Sequence, residues 1–254
     1  MPTPSSQPTD GRTNRLLAAL PADVYDRLRA AMTPVELRHA HRIYELGEPI
    51  TQVYFPLTAL VSLMIVLEDG KQVEMAAVGR EGMAGLPVVL GSDSDGHVAM
   101  TQIPGRALRL DRETLRAVLA VAPELRAILG RYALVLLTQA GQAAACNGLH
   151  ALAERAARWL LEAHDRVGSD RFLLTQDFLA SMLGVRRPSV TLAAGMLQQA
   201  GLITYHRGQV TILDRSGLEA ASCECYDAIR RETDRLLGDP DTTSDESDGT
   251  ARRT

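Results

Sequence analysis

A chain of 254 residues, 46% hydrophobic and 23% charged, is long enough for two modest globular domains. No apolar run approaches the roughly 20 residues of a membrane-spanning helix, which argues against a membrane protein. The net charge of −4 counts at first against a nucleic-acid partner, since neutralising phosphate takes clustered Lys and Arg.

The average charge misleads, because residues 238–254 carry Asp239, Asp241, Asp245, Glu246 and Asp248 in one acidic stretch. The local sign decides, and positive charge here is nearly all arginine, Lys71 being the one lysine. Residues 1–14 are polar and rich in Ser, Thr and Pro, without the basic start and apolar core of a secretory signal; they read as a disordered tail of a cytoplasmic protein.

A short helix is expected over 16–32. Between Val35 and Asp111 the pattern turns strand-like, at 52–55, 60–66, 72–78, 98–102 and 106–110, with Glu68-Asp-Gly70 placed as a hairpin turn and Gly47, Gly79, Gly82 and Gly96 as further breaks. Short strands at near-regular spacing indicate a jelly roll or small barrel rather than a βαβ fold, so residues 15–122 form a β-barrel sensor domain. The spacing Gly79, Gly82, Gly85 lacks the Lys-Ser or Lys-Thr of a phosphate loop and reads as tight barrel turns.

The period becomes helical at 112–121 and again from Pro123, a residue suited to a first helical turn. Leu125, Leu129, Tyr132, Leu136, Ala143 and Cys146 recur at steps of four and three, a heptad seam interrupted by Gln139. At roughly 35 Å this helix is too long to be buried in one small barrel, and 123–150 is expected to be a dimerisation helix. Asn147-Gly-Leu-His150 breaks the pattern, and 152–167 opens a second domain, 151–237, as an amphipathic helix with Leu152, Ala156, Trp159 and Leu160 on one face.

Residues 174–205, LTQDFLASMLGVRRPSVTLAAGMLQQAGLITY, have the order short helix, glycine turn, second helix, hairpin strand. Thr175 can cap the first helix. Phe178, Leu179, Met182 and Leu183 form its buried face, and Gly184 allows the sharp turn. Pro188 fits the first turn of the second helix, and Val190, Ala194 and Leu197 pack inward. That leaves Arg186, Arg187, Ser189 and Thr191 for the major groove of double-stranded DNA. Strands at 202–205 and 209–213 flank His206-Arg-Gly208 as a wing. Arg207 at its tip can meet a phosphate with His206 beside it, while Thr175 and Gln176 do the same at a helix amino end. Arg187 is the candidate for guanine readout through its two-pronged guanidinium.

Across most of residues 16–214 the sequence resembles the Crp/Fnr family of bacterial regulators, most strongly over 174–213. It also matches in Ile43-Tyr-Glu-Leu-Gly-Glu48, Gln52-Val-Tyr-Phe55, Gly70-Lys-Gln-Val73 and Gly79-Arg-Glu-Gly-Met-Ala-Gly85. The resemblance implies an α+β chain: an N-terminal cyclic-nucleotide-binding-like jelly roll, a central dimer helix and a C-terminal winged helix-turn-helix. It implies a homodimer on a palindromic operator near a promoter, hence contact with RNA polymerase, and a possible small-molecule effector. By the same resemblance Thr175 and Gln176 fall at phosphate-contact positions and Arg187 at a guanine-reading one. Pro188 stands where relatives often carry a base-reading Glu, and Leu192 where some carry a second Arg, so the operator should differ from the familiar one. In the effector region, Gly85-Leu-Pro87 and Gly96-His-Val98 replace the ribose and phosphate ligands, and no Arg lies between Arg80 and Arg106, so cyclic AMP is not the expected effector.

Two other readings compete. His39-x-His41-x-x-x-Glu45 resembles the first metal motif of cupin enzymes, but it lacks that motif's flanking glycines, and exposed histidines explain it more simply. A winged helix can also be a protein-binding module. Cys146, Cys223 and Cys225 are too few and too unevenly spaced for a disulfide framework or a four-ligand metal site, and the N-terminal cysteines of iron-sulfur relatives are absent; Cys223-x-Cys225 leaves a redox pair as a minor alternative. No catalytic residue, metal or cofactor is expected. Residues 217–237 read as an extra amphipathic helix, with Leu218, Ala221, Tyr226, Ile229 and Leu236 apolar, and 238–254 as a disordered acidic tail.

Overall fold

The computed structural model of the chain describes residues 10–238. The acidic stretch expected to be disordered lies almost wholly outside the described residues, as do residues 1–9. The rest of the expected N-terminal tail is ordered. Asn14 is fully buried, donating from Nδ2 to the carbonyls of Pro56 and Gly82 at 3.0 and 2.8 Å while its Oδ1 caps the next helix. A polar side chain that satisfies four backbone groups at once belongs to the fold, and composition alone does not reveal it.

The expected first helix is two, α1 (Arg15–Ala18) and α2 (Ala22–Ala31), broken where Pro21 cannot continue a helix. Seven strands follow: β1 (Thr33–Leu37), β2 (Arg42–Tyr44), β3 (Gln52–Pro56), β4 (Leu60–Val66), β5 (Gln72–Val78), β6 (Val98–Ile103) and β7 (Gly105–Asp111). They form two antiparallel sheets, β1-β7-β3 and β2-β6-β4-β5, the jelly roll expected from the strand spacing. β1 carried no strand signal because it is an edge strand, mostly exposed and containing Pro34.

Then come α3 (Arg112–Val121), α4 (Pro123–Leu149) and α5 (Leu152–Val167). α4 runs straight through Asn147-Gly148 to Leu149, so the expected break falls two to three residues later, at His150. The remaining elements are β8 (Arg171–Leu173), α6 (Gln176–Leu183), α7 (Arg187–Gln199), β9 (Ile203–His206), β10 (Gln209–Ile212), α8 (Arg215–Ala220) and α9 (Cys225–Leu237). The wing is a three-stranded sheet, β8-β10-β9, rather than a two-stranded hairpin. The single helix expected at the C-terminal end is split into α8 and α9 by the turn around Ser222 and Cys223.

The heptad seam read along α4 is buried within the chain itself. Leu125, Leu129, Tyr132 and Leu136 belong to the jelly-roll core, and Cys146 packs with Cys223 and Cys225. α9 folds back along α4, placing Leu236 and Leu237 in the same core. The seam is thus the inner stripe of a helix that is apolar on more than one side, which periodicity alone cannot apportion.

Two glycines expected to make tight turns have another purpose. A Cβ on Gly82 would collide with the ring and hydroxyl of Tyr132, and one on Gly79 with the side-chain stem of Arg166. Neither has a positive φ; their role is close approach, Gly82 to the long helix and Gly79 to α5. Arg166 then pairs with Glu81 and Glu162 at 2.8 and 2.9 Å, and Glu162 also accepts from Arg158, all four side chains being buried. Trp159 Nε1 donates to Glu74 at 2.8 Å. With Leu60, Met64, Ala77, Val98 and Ile103 of the jelly roll sharing a core with α5, α6 and α7, the helix-turn-helix is docked against the barrel.

Candidate nucleic-acid interface

The helix-turn-helix is built by short-range rules. Thr175 Oγ1 accepts from the Phe178 amide at 3.2 Å and so caps α6, whose first amides otherwise have no partner. Gly184 closes α6 with φ 63°, a left-handed conformation that side chains disfavour, and turns the chain into α7. Arg186 is the N-cap residue of α7 and Pro188 lies in its first turn. Val190, Ala193, Ala194 and Leu197 bury the inner face of α7 against α5 and α6.

Of the residues assigned to DNA from sequence, Arg186, Arg187, Thr191, His206 and Arg207 are exposed, while Thr175, Gln176 and Ser189 are half-buried. Thr191 donates to Gln176 Oε1 at 2.8 Å, so α7 is tied to the amino end of α6. Arg187 Nη1 lies 3.6 Å from Asp177 Oδ2, both side chains being largely solvated. Such a pair is weak and easily exchanged. Arg207 sits at the tip of the wing with φ 49° beside Gly208 at 75°. The wing is braced on the helices by Tyr205, whose amide donates to Gln198 Oε1 at 2.8 Å and whose hydroxyl donates to the Leu174 carbonyl at 2.8 Å. Burial, with Asp177 adding to it, holds the Tyr205 phenol above its ordinary value, so it stays protonated as a donor.

The arrangement therefore presents two guanidinium groups at the amino end of an exposed helix and a third on a hairpin beside it. That charge distribution and shape suit a duplex groove flanked by phosphates. Sequence reasoning named Leu192 only as a departure from relatives and passed over Met196; both lie on the outer face, 72% and 61% exposed. Their signal was available: they stand four apart, off the Val190, Ala194 and Leu197 stripe, where a globular helix usually carries polar residues.

The alternative metal motif is not assembled. His39 lies in the turn after β1, its Nδ1 at 2.8 Å from the Gln102 carbonyl and its ring edge-on to Phe178, while Glu45 pairs with Arg42. A different cluster is assembled: Cys146, His150, Cys223 and Cys225 converge from two segments more than seventy residues apart. Spacing along the chain, which argued against a four-ligand set, says nothing about segments that meet only on folding.

Residues 154–221 match the Crp-like helix-turn-helix domain family. The chain is 25% identical over 198 residues to a CRP-like cAMP-activated global transcriptional regulator of Mycobacterium tuberculosis, covering 75% of this chain and 88% of that protein. Among solved structures, FixK2 of Bradyrhizobium japonicum superposes with a TM-score of 0.64 at 21% identity, over 76% of this chain and 98% of that one. The c-di-GMP responsive global regulator CLP of Xanthomonas campestris does so with a TM-score of 0.61 at 16% identity, over 76% and 99%. Likeness at that level of identity establishes a common fold. No helix among the described residues is long and apolar enough to cross a membrane.

Proposed function

We propose that the chain is a transcription regulator of the Crp/Fnr type, a reading supported by its Crp-like helix-turn-helix and its likeness to a CRP-like regulator, and that it grips a palindromic operator as a homodimer, without catalysis. The observation that carries this reading is the exposed amino end of α7, with Arg186 and Arg187 free of any buried partner and Arg207 on the wing beside them. Arg187 exchanges Asp177 for guanine O6 and N7. Arg186, His206, Arg207, Thr175 and Gln176 hold phosphates, and Ser189 and Thr191 line the groove. Leu192 and Met196 meet thymine methyl groups, in keeping with Pro188 being unable to accept from cytosine.

The dimer uses the outer stripe of α4. Ala127, Gly130, Leu134, Leu137, Gly141, Ala144 and Gly148 follow one another at steps of three and four. Leu134 and Leu137 are 49% and 69% exposed, and a Cβ at Gly130, Gly141 or Gly148 would meet open space. Heptad spacing with small residues suits close approach of a second copy of the same helix. Two recognition helices held one DNA turn apart would then read the two half-sites. Bound near a promoter, such a dimer is placed to contact RNA polymerase.

The jelly roll senses something other than a cyclic nucleotide. Leu86 and Val98, in the stretches where relatives hold the ligand, are buried in apolar cores, and Arg80 points to solvent. A buried phosphate there would have no charge partner. Cyclic AMP at millimolar concentration is expected to leave the melting temperature unchanged; a rise of several degrees would restore it as effector.

The test is selection of bound duplexes from a random pool, followed by affinity measurements across salt. An inverted repeat should emerge. Arg187→Ala should relax one position per half-site, losing roughly 1–3 kcal/mol of discrimination, while Arg207→Ala weakens all sequences alike and lowers the salt slope by about 1. No enriched motif, from a protein shown to be folded, would end the reading.

A further inference from the structure

All three cysteines of the chain meet at one place, and a histidine joins them. Cys146 lies in the penultimate turn of α4 and His150 caps the same helix, so a step of four residues puts both on one side. Cys223 and Cys225 come from the turn that opens α9. Cys146 Sγ stands 3.5 Å from Cys223 Sγ, and Cys225 Sγ 3.6 Å from His150 Nδ1. The four ligand atoms lie within 4.8 Å of one another. With Zn–S near 2.3 Å and Zn–N near 2.0 Å, the edges of a tetrahedral site come to about 3.8 Å for S···S and about 3.5 Å for S···N. The 3.5 Å and 3.6 Å separations are close to those edges, and the remaining ones, all within 4.8 Å, need to close by no more than about 1 Å.

The surroundings are those of a ligand set. The three thiols are buried and His150 is half-buried. His150 Nε2 lies 3.2 Å from Glu224 Oε1, so with its proton on Nε2 the ring turns Nδ1 towards the sulfurs. A carboxylate behind a ligating imidazole fixes its tautomer and orientation. The guanidinium groups of Arg158 and Arg155 stand near enough to act electrostatically on these sulfurs. The Nε groups of both arginines are buried without a hydrogen-bond partner among the described residues. Three thiolates around a dication leave one net negative charge, which those guanidinium groups offset. A disulfide would use only two of the four groups and would need the sulfurs near 2.05 Å.

We propose that Cys146, His150, Cys223 and Cys225 bind one thiophilic divalent ion of the zinc class, tetrahedrally, with Glu224 orienting the histidine. Four donors this close together enclose a single ion rather than a cluster of two or more irons. Four protein ligands leave no open position, so the ion is structural. It ties the end of α4 to the start of α9, next to Ala151, where the chain passes from the long helix into the DNA-binding domain.

The full chain, purified without a metal-affinity tag and under thiol protection, tests this independently of DNA. Stripped protein titrated with cobalt should saturate at one ion per chain, with an intense thiolate charge-transfer band and four-coordinate visible bands that zinc abolishes. Metal should raise the melting temperature. His150→Ala and Cys225→Ser should lose the four-coordinate spectrum, Glu224→Gln should weaken binding by about 10- to 100-fold, and His97→Ala should change nothing. If any variant fails to fold, the spectrum of the unaltered chain decides. The proposal is overturned if that chain, with three titratable thiols and an intact fold, takes up cobalt without a charge-transfer band. It is equally overturned if binding survives His150→Ala and Cys225→Ser undiminished, or if the reduced protein binds no metal and merely oxidises to a disulfide.

Discussion

On the proposed reading, Arg187 must leave its present partner to reach a base edge, and that partner holds it only loosely. Its partner Asp177 is as exposed as itself, at 3.6 Å, so exchanging that carboxylate for a base edge costs little. Leu192, by contrast, gains nothing from the water it now faces, and burial against a thymine methyl would remove apolar surface at about 25 cal/mol per Å². Leu192→Ala is therefore expected to weaken operator binding by roughly 1 kcal/mol or somewhat more, with the loss confined to sites carrying thymine at one position. Competition assays with thymine-to-uracil operators check this, since the variant should no longer distinguish them. The exposed polar groups at the start of α7 and on the wing were legible in the sequence because capping, glycine turns and Arg-rich helix starts are local rules. Leu192 and Met196 left a signal in their spacing, off the inner stripe of α7, but only the tertiary structure shows that this face of the helix is left open.

At the scale of elements, α4 carries two apolar stripes, and they predict opposite outcomes for similar substitutions. Leu134→Glu with Leu137→Glu places charges on the outer stripe, so the chain should remain folded and become monomeric, losing operator affinity through the loss of the second half-site. Leu129→Glu buries a charge in the jelly-roll core and should unfold the domain. Sedimentation together with circular dichroism separates the two; a dimer that persists in the outer double variant excludes α4 as the dimer helix. α5 holds the other decisive element, the Glu81-Arg166-Glu162-Arg158 network. Arg166→Ala leaves the buried Glu81 without its charge partner and Glu162 with Arg158 alone, and should lower stability by roughly 3–5 kcal/mol, read as a shift in the urea midpoint. Burial by itself would raise the Glu162 pKa, but Arg158 and Arg166 outweigh it and hold the group below its ordinary value. Its folded value thus lies under the unfolded one of about 4.3, so its contribution is complete above that pH and is lost as pH falls through the folded value. The urea midpoint should drop below about pH 4, and less so in a Glu162→Gln chain, which is already weaker at neutral pH.

Across the whole molecule, one core joins α5, α6 and α7 to the jelly roll, and α9 packs along the long helix and against α5, so the barrel and the helix-turn-helix share a packed boundary. The amino-acid sequence alone determined what depends on near neighbours. The strand spacing specified a jelly roll, the proline and glycine punctuation specified a helix-turn-helix with a wing, and the helical period located α3, α4 and α5. Only the tertiary structure decided which of two stripes on α4 is core, that Gly79 and Gly82 make room for Arg166 and Tyr132, and that Cys146 and His150 meet Cys223 and Cys225. Local propensity acts over a turn or a hairpin, whereas these pairings join residues about fifty to ninety positions apart and form only when the core closes around them.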